Sequence, residues 1–128
     1  MKKIISTLNA LAAIGPYSQA VEANGTLYIS GQIPVNPATG KIVEGGVTEQ
    51  AEQVFANIKA ILAEADYGLE NVVKSTVFLA DMSFFAEMNE VYKKHYTENC
   101  PARSTIAVKG LPMGALVEIE TIAVCASQ

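Results

Sequence analysis

Residues 48–65 read TEQAEQVFANIKAILAEA and residues 72–79 read VVKSTVFL, and these two neighbouring stretches decide the fold. Thr48 is expected to cap a helix at its start, and Gly68 is a stop signal beyond its end. The second stretch is rich in β-branched residues and predicts a strand. In the first stretch the apolar side chains recur at the spacing of one face of an amphipathic helix, namely Ala51, Val54, Phe55, Ile58, Ile61, Leu62 and Ala65.

Turn residues and further periodic segments predict the other elements. Asn24-Gly25 lies between two apolar segments, 17–23 and 26–31, and predicts a β-hairpin because both turn residues tolerate positive φ. With a short strand before this hairpin, the order is β-β-β-α-β-α-β-β, an α+β fold with two helices on a mixed sheet. The remaining elements are a second helix and two strands, expected to begin near Ser83 and to span about 104–109 and 115–125.

The last predicted strand carries apolar side chains on both faces. One face carries Val117, Ile119, Thr121 and Ala123. The other carries Leu116, Glu118, Glu120, Ile122 and Val124. Right-handed crossovers place both helices on one side of the sheet and leave the other side uncovered. An uncovered apolar face is expected to bury itself against another subunit, with the two carboxylates at or near that interface.

Composition limits the classes of function. The chain has 128 residues, which suits a single domain over 1–128, and its net charge is -4 with a pI of about 4.9. Nucleic-acid binding is disfavoured, because the chain is acidic and its basic residues are scattered. No apolar run approaches the roughly 20 residues that cross a bilayer, so we expect a cytoplasmic protein without a membrane partner. Cys100 and Cys125 are expected to be free thiols.

Two residues stand out as candidates for chemistry. Arg103 is the only arginine, and its planar fork suits a small carboxylate through two parallel hydrogen bonds. Glu118 lies on an apolar strand face, where desolvation raises the pKa of a carboxyl group into a range useful for moving protons. Each also has a simpler interpretation, a surface salt bridge for Arg103 and protection of an edge strand for Glu118.

The sequence lacks the residues that a metal site or a phosphate-binding loop would need. His95 is the only histidine, is expected on a helix surface, and has no cysteines or paired carboxylates at ligand spacing, so the sequence predicts no metal site. No glycine-rich phosphate loop is present in the sequence. Tyr17 after Gly15-Pro16 could close over a ligand or be a core tyrosine. Gly31 after Ser30 allows close approach of the backbone to a ligand or only marks a bulge.

Four separate stretches carry a resemblance that extends over essentially the whole chain. They are IGPYSQA at 14–20, SGQIP at 30–34, PARS at 101–104 and VEIETIAV at 117–124. In order and spacing they are similar to the RidA/YjgF family of enamine/imine deaminases. The resemblance implies a chorismate-mutase-like fold and a homotrimer with three sites, each between neighbouring subunits. It also implies hydrolysis of reactive 2-imino acids, such as 2-iminopropanoate and 2-iminobutanoate, to 2-keto acids and ammonia.

The resemblance also assigns roles. Arg103 matches the carboxylate-binding arginine, and Glu118 matches the acid that positions water, with Tyr17 as the third expected catalytic residue. Many family members carry cysteine two residues after the arginine, whereas this chain has a threonine, which excludes a thiol nucleophile and leaves a role for the backbone. The expected substrate-binding residues are Ser30, Gly31, Asn89 and Thr105. No cofactor is expected, because a protonated imine is already electrophilic.

Three other functions stay open, one of them a chaperone-like trimer whose pocket is vestigial. The same pocket could bind 2-keto acids without turnover, as a sensor. A ribonuclease or translation inhibitor is disfavoured by the acidic pI, the single histidine and the absence of a basic stripe with interleaved aromatic residues.

Overall fold

In the computed structural model, which describes residues 1–125, a mixed six-stranded sheet is built in the order β1-β2-β3-β8-β6-β7, and β4 and β5 form a separate hairpin. Only β6 and β7 pair in parallel within the sheet. The helices are α1 (Val47–Glu64) and α2 (Phe85–His95). The strands are β1 (Lys3–Ile5), β2 (Ala20–Ala23), β3 (Thr26–Gln32), β4 (Val35–Asn36), β5 (Lys41–Ile42), β6 (Val72–Leu79), β7 (Ala102–Ala107) and β8 (Val117–Val124).

Helix α1 forms where the periodicity predicts it, with a different cap. Gly46, not Thr48, is the N-cap, and its backbone N–H donates to the Glu49 side chain at 2.8 Å. The prediction of Thr48 as the N-cap is wrong, because the helix already begins after the Gly45-Gly46 pair. Gly46 has an extended backbone, and the Glu49 side chain folds back from the first turn to accept its N–H. The apolar stripe of the helix is buried against the sheet, with Phe55 and Ile58 fully buried.

Both helices lie on the same face of the sheet. Val117, Ile119, Thr121 and Ala123 of β8 are buried beneath α1, as the alternation predicts. The opposite face, which we call the open face, carries Glu118 and Glu120 on β8. Tyr28, directly opposite Ile122, is half exposed there. The expected uncovered face therefore exists in a single chain, with the two carboxylates on it.

Three expected bounds differ from the structure. The first hairpin strand begins at Ala20, because the preceding segment forms a loop. The late strands span 102–107 and 117–124 instead of 104–109 and 115–125. The small hairpin of β4 and β5 was not predicted. It is held to α1 by the buried Asn57 side chain, which donates to the backbone oxygens of Ile33 and Val35.

Candidate active site

A cleft of about 510 Å³ lies where four segments meet. The loop before β2, the end of β3, the turn before β8 and β8 itself form its walls. Four of the predicted site residues contribute to it, namely Tyr17, Ser30, Gly31 and Glu118. Glu120 lines the same cleft. The structure thus brings the acid together with the tyrosine and with the serine-glycine pair.

Glu118 is half buried in this cleft. Loss of hydration raises the pKa of its carboxyl group, and the negative charge of Glu120 two residues away raises it further. A carboxylate in such surroundings exchanges protons more readily near neutral pH than an exposed one. The expected acid therefore has the electrostatic environment that its proposed role requires.

Gly31 lies directly beneath the Glu118 carboxylate. A methyl group placed on Gly31 would overlap Oε2 of Glu118 and come within 2.9 Å of its Cδ. The register of β3 against β8 shifts between Ile29 and Gln32, so Gly31 lies in a bulge. The bulge interpretation of Gly31 is therefore supported, and the Glu118 carboxylate packs directly against the backbone at this bulge.

Ser30 is tied to the loop across the cleft. Its Oγ donates to the backbone oxygen of Ser18 at 2.6 Å, and its N–H donates to the backbone oxygen of Gln19 at 2.9 Å. Tyr17 precedes this contact and is 52% exposed. The core interpretation of Tyr17 is therefore wrong, because the loop that follows Gly15, at φ 150°, turns the ring outward beside the cleft.

Gln19 shapes the cleft and was given no role by the sequence reasoning. Its side chain is buried and donates to the backbone oxygens of Thr7 and Leu11, while its Oε1 accepts from the Thr7 N–H at 2.7 Å. These bonds fold the loop over residues 7–18 back onto the sheet. No residue pattern in the sequence indicates this role, because the burial of the amide and its backbone partners are set by the path of the loop.

Arg103 lies elsewhere, on the helix-covered face of β7. Its Nη1 donates to Asn89 Oδ1 of α2 at 2.8 Å. Its guanidinium carbon lies 4.6 Å from the ring centre of Tyr92 and 5.5 Å from that of Phe85. Three residues on one stripe of α2 therefore orient the guanidinium. Asn89, expected to contact substrate, contacts Arg103 instead in the single chain.

Thr105 lies two residues after Arg103 and shares its face of the sheet. Its Oγ1 is buried and has no hydrogen-bond partner among residues 1–125. The Tyr92 hydroxyl of α2 is also buried and has no hydrogen-bond partner among residues 1–125. The second group of predicted residues, Asn89, Arg103 and Thr105, is thus contiguous along the edge of the sheet.

The two groups do not meet within one chain. Arg103 is opposite Ser75 on β6, and Glu118 is opposite Phe78. At the usual strand spacings they are roughly 10 Å apart across the strands and about 10 Å along them. They also project from opposite faces. One small molecule therefore cannot contact Arg103 and Glu118 of the same chain.

Two other kinds of site are absent from the described part of the chain. Among residues 1–125, no group of three or more His, Cys, Asp and Glu side chains is arranged to hold a metal ion. No helix in that range is long and apolar enough to cross a bilayer.

Comparison with known proteins identifies the family. A family model described as Endoribonuclease L-PSP matches residues 7–125. The chain belongs to this family, the RidA/YjgF family. A relative in Mus musculus, named 2-iminobutanoate/2-iminopropanoate deaminase, is 51% identical over 97% of this chain and 92% of its own length.

Solved structures of similar proteins share the fold. Yeast Mmf1 is 49% identical, with a TM-score of 0.95 over 98% of this chain and all of its own. E. coli TdcF, solved with bound serine, is 43% identical, with a TM-score of 0.92 over 97% of this chain and 99% of its own. The α+β fold with two helices on a mixed sheet is therefore confirmed. The family motifs of this chain fall at the two places described above, the cleft and the Arg103 edge.

Proposed function

We propose that this protein hydrolyses small 2-imino acids to 2-keto acids and ammonia, at a site shared by two copies of the chain. The observation that carries the proposal is the half-buried Glu118 carboxylate, with its raised pKa, held over Gly31 in a largely apolar cleft. The mouse relative named as a deaminase of this class supports it, and so does the serine bound to the TdcF relative, which is a small amino acid.

A site that uses both Arg103 and Glu118 needs a second chain, because the two side chains project from opposite faces of the sheet. The open face is apolar enough to need cover, and β7, which carries Arg103, is an edge strand with half-exposed Ile106. Arg103 of one copy, at this edge, would enter the cleft of the next copy beside Glu118. The family resemblance implies three such copies in a ring. In this ring β7 of each copy would contact the cleft of one neighbour, and the cleft of each copy would be contacted by β7 of the other neighbour.

The chemistry follows from these groups without a cofactor. Arg103 binds the carboxylate of the imino acid and fixes the imine carbon. Glu118 accepts a proton from water as the oxygen attacks that carbon, forming a C–O bond and a carbinolamine. The same carboxyl group returns that proton to nitrogen. It then accepts the hydroxyl proton of the carbinolamine as the C=O bond forms and the C–N bond breaks, so that the keto acid and ammonia are released and the proton leaves with ammonia as ammonium. Tyr17, beside the cleft, can donate its hydroxyl to the departing nitrogen or to the new oxygen.

Imine turnover tests the activity. An L-amino-acid oxidase with catalase generates the imino acid, and semicarbazide traps it as a semicarbazone that is followed by absorbance. The protein should suppress this signal. Arg103→Ala should lower kcat/KM for imine hydrolysis by about 10- to 150-fold, because losing a charged hydrogen-bonding partner costs about 1.5–3 kcal/mol. Binding of 2-keto acids without suppression would favour the sensor. RNA cleavage lost with Arg103→Ala or Glu118→Gln would favour the ribonuclease.

Mixing two inactive variants tests the shared site. Arg103→Ala and Glu118→Gln chains, unfolded together and refolded at equal amounts, should recover about a quarter of the wild-type activity, since about a quarter of randomly formed interfaces combine an intact Arg103 with an intact Glu118. A site within one chain would give no recovery, because no chain in the mixture carries both groups. The two variants refolded separately and then combined are the control.

A further inference from the structure

Met113 adopts a backbone conformation that methionine rarely uses. It lies at φ 57° and ψ 22°, in the left-handed region, inside the turn Pro112–Gly114 that leads into β8. The other non-glycine residues with positive φ are Asn24, Asp66 and Asn99. Asparagine and aspartate tolerate this region, whereas a methionine there is strained. Glycine or asparagine at position 113 would form the same turn with less strain.

Packing within the chain does not explain the choice of methionine. The Met113 side chain is 56% exposed, so the core gains little from it. The turn itself is held by backbone bonds, from Gly114 N–H to Leu111 oxygen and from Ala115 N–H to Pro112 oxygen. Backbone strain of this kind persists at functional sites when the side chain it presents is needed.

Met113 lines the cleft that holds Glu118. The residues that line the cleft are of two kinds. Tyr17, Ser30, Gln32, Glu118 and Glu120 carry polar side chains, and Leu11, Ile14, Ile33, Pro112 and Met113 form the apolar part of the lining, which we call the apolar wall. At about 510 Å³ the cleft is within the range of roughly 300–1,000 Å³ that holds drug-sized ligands. A three-carbon imino acid has only a methyl group to place against the apolar wall.

We propose that the apolar wall binds the alkyl side chain of the substrate, and that Met113 makes the site selective for 2-imino acids with a branched or thioether side chain. This rests on the proposed imino-acid hydrolysis. Contact between Met113 and the substrate's alkyl group explains why an exposed methionine is kept in a strained turn. An unbranched, polarisable thioether also adapts to alkyl groups of different shape.

The experiment compares kcat/KM for imino acids made from alanine, 2-aminobutyrate, leucine and methionine. In the wild-type protein kcat/KM should rise by about fourfold for each methylene that reaches the apolar wall. Met113→Ala and Met113→Gly should lower the ratio of kcat/KM for the leucine-derived imine to kcat/KM for the alanine-derived imine by about fivefold or more. Met113→Leu, which keeps an apolar side chain, should retain the selectivity.

Thermal unfolding separates strain from selectivity. Met113→Gly should raise the Tm relative to Met113→Ala, because glycine relieves the backbone and alanine does not. Asp66→Gly is the matched control. It relieves a positive φ of 65° away from the cleft and should leave kcat/KM unchanged for every substrate.

Two results would overturn the inference while leaving the hydrolysis proposal intact. One is a wild-type profile that is flat or falls with side-chain size. The other is an equal loss on all substrates in Met113→Gly, or a change in oligomeric state, which would make the apolar wall a subunit contact. Failure of the hydrolysis proposal would look different, since no substrate would be turned over by the wild-type protein.

Discussion

Replacing Gly31 with alanine should separate the position of the Glu118 carboxylate from the stability of the fold. Gly31 does not have the positive φ found at several other glycines, so its backbone accepts alanine without strain. The new methyl group would overlap Oε2 of Glu118 and approach Cδ to 2.9 Å and Cγ to 3.2 Å. Carbon atoms in contact lie about 3.5–4.0 Å apart, so the carboxyl group must move by roughly 0.6 Å or more.

A displacement of this size should have a large effect on kcat/KM and a small effect on the free energy of unfolding. A shift of about 1 Å in a reacting group can lower the rate by about 100-fold, so we expect kcat/KM to fall by roughly 10- to 100-fold. The obstacle is the end of a flexible side chain, which can rotate away. The free energy of unfolding should therefore stay the same or rise by about 0.4–1 kcal/mol, because alanine restricts the unfolded chain.

The assay is suppression of semicarbazone formation, with urea unfolding of the same preparations. Gly110→Ala is the control, since a Cβ at Gly110 meets no atom within 4 Å and its backbone does not have positive φ. Gly31→Ala combined with Glu118→Gln should be no slower than Glu118→Gln alone, because both changes act on one carboxylate. A folded Gly31→Ala protein with wild-type kcat/KM would refute the idea that this carboxylate must stay over Gly31.

Three further predictions follow from the contacts of the site. Glu120→Gln should move the acid limb of the pH–rate profile to lower pH, because Glu120 raises the pKa of Glu118 and the ionised acid is the form that accepts a proton from water. Tyr92→Phe should keep KM near the wild-type value, since it preserves the ring beneath Arg103 and removes a hydroxyl without a partner, whereas Tyr92→Leu should raise KM by roughly 2- to 5-fold. Gln19→Ala should lower the free energy of unfolding in urea by about 1–3 kcal/mol, because it leaves buried backbone groups unpaired.

The sequence predicted those parts of the fold in which side chains repeat with a fixed period. The β6 strand was predicted at its observed bounds, and the alternation in β8 correctly assigned Glu118 to the open face. Contacts between individual residues were harder to predict from the sequence. Nothing periodic indicates that Gly46 caps α1, or that His95 stacks on the Phe55 ring at 4.2 Å and pairs with a glutamate instead of lying on the helix surface.

The composition of the candidate site was more predictable than its arrangement. Arg103 was identified because it is the only arginine, and Glu118 because an acid on an apolar strand face is unusual. The roles of Gln19 and Met113 depend on loop geometry, which side-chain type does not specify. The relation of Asn89 to Arg103 requires knowing which stripe of α2 faces β7, and that depends on helix packing that periodicity alone does not fix.

Arg103 and Glu118 lie on opposite faces because side chains alternate along paired strands. This alternation makes the proposed activity depend on assembly of more than one chain. Arg103 and Thr121 both face the helices because each is in register with Ser75, and Glu118 is three residues from Thr121 and must face the other way. A one-residue shift could bring the acid to the helix side, but it would also expose the buried Val117 and Ile119. Core packing therefore holds the acid on the open face. If both groups act on one substrate, the arginine must come from a second chain, so a variant that disrupts assembly would lose activity even with every site residue intact.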